Sequence, residues 1–120
     1  MQKKYLITFY LALKGTEGVL SLQESRIRDK FLKWLTEETS TFELNRNEIF
    51  KTYGKLKEGE DNVYEFSPEN APKVNKELET LMAETVSLPE TAGIKEILEQ
   101  TQYKPKSGEA ELIDEIISQL

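Results

Sequence analysis

The feature that most limits how this chain can fold is the stretch from Ser21 to Tyr53. Ile27, Phe31, Trp34 with Leu35, Phe42, Ile49 and Tyr53 fall on one helical face. Glu38 and Asn45 share that phase and are polar, so the apolar seam is interrupted twice. Thr39-Ser40-Thr41, beside the first interruption, is a weak helix centre and a place for a kink or break. Gly54, directly after Tyr53, suits a helix C′ position. Unbroken, such a helix is about 50 Å long at 1.5 Å per residue. A domain of 120 residues rarely needs that length, so its exposed end is expected to need a partner. The seam predicts an antiparallel hairpin packed against a second copy, making a homo-oligomer and most simply a dimer.

The flanking segments are shorter. Tyr5 to Leu13 is apolar nearly all round, so periodicity alone leaves strand and helix open. Leu11-Ala12-Leu13-Lys14 followed by Gly15 favours a helix with a glycine C-cap. Lys57 to Asn62 is a charged turn, and Val63-Tyr64-Glu65-Phe66 is a strand candidate. Ser67-Pro68 and Pro72 mark a helix start between Ser67 and Ala71, with Val74, Leu78, Leu81 and Met82 carrying it to about Glu84. Val86-Ser87-Leu88 is extended and is expected to pair with residues 63–66. Pro89 to Glu99 and Ser107 to Leu120 read as two further helices. The fold class predicted is mainly α: one helical domain over residues 1–120, a long helix with shorter ones in a hairpin or bundle, and a small two-stranded β element of 63–66 with 86–88.

Neither cysteine nor histidine occurs. Disulfides, thiol nucleophiles, zinc fingers, Ser-His-Asp triads and histidine switches are therefore excluded. No phosphate loop, nucleophile elbow or dinucleotide fingerprint is present. Glu58, Glu60, Asp61 and Asn62 bunch together, but their spacing is not that of a calcium loop. The chain is expected not to be an enzyme and to carry no cofactor. The apolar run after Met1-Gln2-Lys3-Lys4 is too short to span a bilayer and ends without a small-residue cleavage site, so no membrane role and a cytosolic location are expected.

Charge is unevenly spread. Residues 1–35 carry a net +4 and the remainder a net -10, giving -6 overall. That balance argues against general nucleic-acid binding, which depends on phosphate neutralisation, yet it leaves a basic end able to attract an anion. The candidate ligand-binding residues are Lys14, Ser25, Arg26, Arg28, Lys30 and Lys33. Ser25 to Arg28 lie near the start of the long helix, where free N–H groups and the macrodipole favour negative charge. Arg26, Lys30 and Lys33 form one stripe about 120° from the apolar face, and their alternative reading is a solvated face pairing with Glu37. Trp34 matches the phase of Phe31 and Leu35, which assigns it to the core or an oligomer interface.

Leu11-Ala12-Leu13-Lys14-Gly15, Ser25-Arg26-Ile27-Arg28 with Lys30-Phe31-Leu32-Lys33, Arg46 to Tyr53, Asn75-Lys76-Glu77-Leu78 with Glu84-Thr85-Val86, and Ser107 to Asp114 occur in that order. Together they resemble a family of small proteins of unknown function from phages and prophages of Gram-positive bacteria. In this chain Thr16 to Glu24 separate the Lys-Gly and Ser-Arg motifs, which the family places closer together. The resemblance implies a phage-encoded protein made in the host bacterial cytoplasm and assigns no activity. The expected function is a non-catalytic binding protein acting against the host, by sequestering an anionic nucleotide-type signal or occluding a host protein. The alternative is a structural or assembly accessory of the virion.

Overall fold

In the computed structural model, which describes residues 1–120, the segment after Ser21 is one unbroken helix. Five α-helices occur: α1 (Leu6–Lys14), α2 (Leu22–Tyr53), α3 (Ala71–Ala83), α4 (Ile94–Leu98) and α5 (Glu109–Ser118), with a 3₁₀ turn at Lys3–Tyr5. The longest dimension of the molecule, 50 Å, is essentially the length of α2. No helix is long and apolar enough to cross a membrane.

The threonine-rich centre of α2 does not break. Thr36 and Thr41 donate their hydroxyls to the carbonyls of Leu32 and Glu37 at 2.7 and 3.1 Å, which keeps them inside the helix. Thr39 is buried with Phe31, Leu35 and Phe42, so the seam passes the Glu38 interruption by using its neighbour. Tertiary packing here outweighs a weak local propensity.

The far end of α2 meets a small hairpin, while Leu44 and Leu56 stay exposed there. Gly54–Leu56 (β1) and Tyr64–Phe66 (β2) form an antiparallel pair, and Phe50 stacks on Tyr64 and Phe66 at centroid distances of 6.1 and 5.8 Å. Gly54 is extended (φ -120°) rather than left-handed. Its role is space, since a Cβ there would lie 2.6 Å from the Phe66 ring.

The β element is real, but its partners differ from the expectation. Residues 64–66 pair with 54–56, not with 86–88. A short turn closes the local hairpin at small entropic cost, whereas the 13 residues of α3 carry Val86 about 20 Å away. The 84–86 segment pairs instead with the N-terminus: Lys3 N donates to Glu84 O at 2.7 Å, and Val86 N to Met1 O at 2.8 Å.

α3 begins where α2 ends, held by the Asn70 side-chain amide donating to the Tyr53 carbonyl at 2.9 Å, and packs back along α2. α1 packs against α2, α4 and α5, with Leu11 left exposed. Leu6, Phe9, Ala12 and Leu13 join Phe31, Leu35, Phe42, Leu81, Ile94, Ile97, Leu98 and Ile116 in one core. The helix expected from Pro89 is confined to Ile94–Leu98. Pro89 to Gly93 stays irregular and lies against the first half of α2, Gly93 being within reach of Ile27.

Candidate functional site

The six residues singled out as an anion site do not converge. α2 is capped by Ser21, one turn before Ser25. The Ser21 hydroxyl accepts from the Glu24 amide at 3.2 Å, and Glu24 Oε1 accepts from the Ser21 amide at 3.2 Å. This reciprocal capping box satisfies donors that an incoming anion would use, and it corrects the expectation of free N–H groups at the start of the helix. Ser25 is simply a residue of the first turns, its amide bonded to Ser21 O at 2.9 Å. Glu24 is further held by Gln100, whose side-chain amide donates at 2.7 Å. That bond, followed by those from Ser21, keeps the Glu24 carboxyl below its usual pKa.

Arg28 lies near enough to Lys14 for its charge to act on the lysine, despite the intervening Thr16 to Glu24. Each already has an acid. Lys14 pairs with Glu17 at 2.6 Å, which raises the lysine pKa and lowers that of Glu17. Arg28 Nε and Nη2 both donate to Asp29 Oδ1, at 3.1 and 2.9 Å. The Arg28 side chain is only 11% exposed. Its stem is therefore packing material, and its charge is spent locally.

Arg26, Lys30 and Lys33 behave differently. All three are exposed, and none takes part in an ion pair, Glu37 included. Lys30 lines the larger of two cavities, a groove of about 470 Å³ between α2 and the Pro89–Gly93 segment. Ile27, Phe31 and Trp34 form one wall, and Pro89, Glu90 and Ala92 the other. Trp34 is held by a tilted contact with Phe31 at 5.4 Å, and Phe31 in turn meets Phe9 at 5.2 Å, so the groove floor is continuous with the core. The Glu90 carboxylate accepts from the Ala92 amide at 3.1 Å and thereby shapes the opposite rim. The volume lies in the range of ligand-binding clefts, about 300–1,000 Å³.

The smaller cavity, about 230 Å³, lies between α1 and α2 and is lined by Tyr10, Thr36, Thr39, Ser40 and Glu43 with Ile7 and Leu11. No cluster of acidic side chains is close enough to hold a metal ion. In the larger groove the only titratable side chains are Lys30 and Glu90.

Sequence reasoning identified Trp34 and Lys30 but not the wall facing them. Pro89 with Gly93 was the available signal, because a proline and a positive-φ glycine (φ 84°) bracket a segment that cannot be regular helix. No family model, curated protein or solved structure matches the chain.

Proposed function

We propose that this chain is a non-catalytic, phage-encoded binding protein that acts in the cytoplasm of a Gram-positive host by occluding a host protein. The observation that supports this reading is the apolar groove at Ile27, Phe31 and Trp34, open beside Lys30 and Glu90. An aromatic anchor site next to charged rims is the anatomy of a protein interface. The nucleotide version of the reading draws less support, because Lys14, Arg28 and the start of α2 are engaged by Glu17, Asp29 and the Ser21–Glu24 cap.

Affinity purification of the tagged chain from host cells is expected to recover one host protein in a fixed ratio, and Ile27→Arg is expected to lose it. The recovered protein, once purified, should lose its own activity when the chain is added. Calorimetry with cyclic and linear nucleotides is expected to be silent. Nucleotide binding without a protein partner would reverse the choice between the two versions. Finding the chain by mass spectrometry in purified particles would favour the virion accessory role.

A further inference from the structure

We propose that the groove receives an acidic amphipathic segment of the partner, its apolar side chains on Trp34 and Ile27 and its carboxylates on Arg26, Lys30 and Lys33. This rests on the occlusion reading, since it names the chemistry of the protein that reading invokes. Two independent observations lead to it. The first is the groove, whose floor is aromatic and aliphatic. The second is a run of three exposed cations on α2, Arg26, Lys30 and Lys33, of which Lys30 lines the groove. Of the 16 basic side chains only Lys3, Lys14, Arg28, Lys51 and Lys57 are ion-paired. Arg26, Lys30 and Lys33 belong to the unpaired majority, and they follow one another along a single exposed face of α2.

An apolar cleft with an unpaired cationic rim is complementary to a helix whose apolar anchors at i, i+3, i+4 and i+7 are flanked by acids. Charge-assisted contacts to arginine and lysine then fix the register. The opposite rim carries Glu90, so the field across the groove runs from positive on α2 to negative on the 89–92 wall. An acidic flank is drawn to one side only, and that orients the segment. A basic amphipathic segment is repelled on the α2 side by Arg26, Lys30 and Lys33.

The test uses two synthetic helical peptides with the same leucine and phenylalanine anchors, one flanked by glutamates and the other by lysines. Trp34, the only tryptophan, reports occupancy through its fluorescence. The acidic peptide is expected to shift the Trp34 emission, to weaken as salt is raised, and to displace the captured host protein. Combining Arg26→Gln, Lys30→Gln and Lys33→Gln is expected to weaken it about tenfold or more, as for the loss of one or more charge-assisted contacts, with the melting temperature unchanged. Equal binding of both peptides would overturn the charge assignment. Binding of neither would overturn the proposal, as would phosphatidylserine vesicles shifting Trp34 where the acidic peptide does not. If a host protein is captured but the acidic peptide fails to displace it, the occlusion reading stands and this inference falls. If nothing is captured and neither peptide binds, both fall.

Discussion

Gly15 and Thr101 approach so closely that a Cβ on the glycine would lie 2.6 Å from the threonine hydroxyl and 2.8 Å from the Tyr103 amide nitrogen. The contact ties the end of α1 to the chain before α5: Thr101 Oγ1 donates to the Ala12 carbonyl at 2.5 Å, and Gln102 N to the Gly15 carbonyl at 2.9 Å. Gly15 itself has φ -67°, a conformation any residue adopts. The glycine is there for room. Gly15→Ala is therefore expected to cost about 1–3 kcal/mol through overpacking, read as a lower thermal midpoint. A variant that melts at or above the wild type would show that the 101–103 segment yields freely.

That distinction marks the boundary of what the sequence makes legible. The length of α2 and its buried Phe31, Leu35 and Phe42 follow from periodicity, because a 3.6-residue repeat is a local property. The glycines after α1 and α2 also mark the helix ends correctly, but for a different reason than a left-handed cap. Their neighbours, Thr101 and Phe66, are distant in the sequence or reached through the hairpin turn. Pairing of 84–86 with Met1–Lys3 is likewise a long-range choice that no local pattern encodes. The charged stripe was visible as a stripe. What periodicity could not supply was which of its neighbours already had acids, and that divides Lys14 and Arg28 from Arg26, Lys30 and Lys33.

Thr39 and Leu35 lie one turn apart on the buried side of α2 and are expected to respond in opposite directions. Leu35 is fully buried, so Leu35→Ala should cost about 2–5 kcal/mol by leaving a cavity. Thr39 is buried while its hydroxyl lacks a partner, unlike Thr36 and Thr41. Thr39→Val removes an unsatisfied polar atom at nearly constant volume and should be neutral or stabilise by about 1 kcal/mol. Chemical denaturation of both variants decides it; a loss from Thr39→Val would mean that the hydroxyl is satisfied in solution.

Acid should weaken the start of α2 first. Glu24 is held below its usual pKa chiefly by the Gln100 side chain and then by Ser21, and Glu17 by Lys14. A depressed carboxyl contributes stability that is present above its unfolded pKa and is lost as pH falls through the folded value. The thermal midpoint is therefore expected to hold through neutral pH and to drop as pH passes below the ordinary glutamate range. Glu24→Gln should remove part of that dependence, and Gln100→Ala should raise the Glu24 pKa measured by carboxyl NMR. An unchanged Glu24 titration in Gln100→Ala would show that the capping box alone sets it.

The last expectation separates two arginines that the sequence presents as equivalent. Arg26 is exposed and unpaired, so Arg26→Ala should change stability by less than about 0.5 kcal/mol. Arg28 has an 11%-exposed side chain, donates twice to Asp29, and carries a buried Nη1 with no acceptor. Asp29 is 66% exposed, so solvent screens the pair and its Coulomb term is small. What Arg28 contributes is mainly the packing of its stem, which predicts a loss of about 1–3 kcal/mol for Arg28→Ala. Arg28→Met keeps most of that packing, discards the unpartnered donor, and should fall close to the wild type. Asp29→Ala should cost more than its exposure suggests, because it removes the acceptor of both Arg28 Nε and Nη2. Thermal melts of the four variants at neutral pH order them as Arg26→Ala and Arg28→Met near wild type, with Asp29→Ala and Arg28→Ala below. Equal losses for Arg26→Ala and Arg28→Ala would erase the difference in burial on which the assignment of the two residues rests.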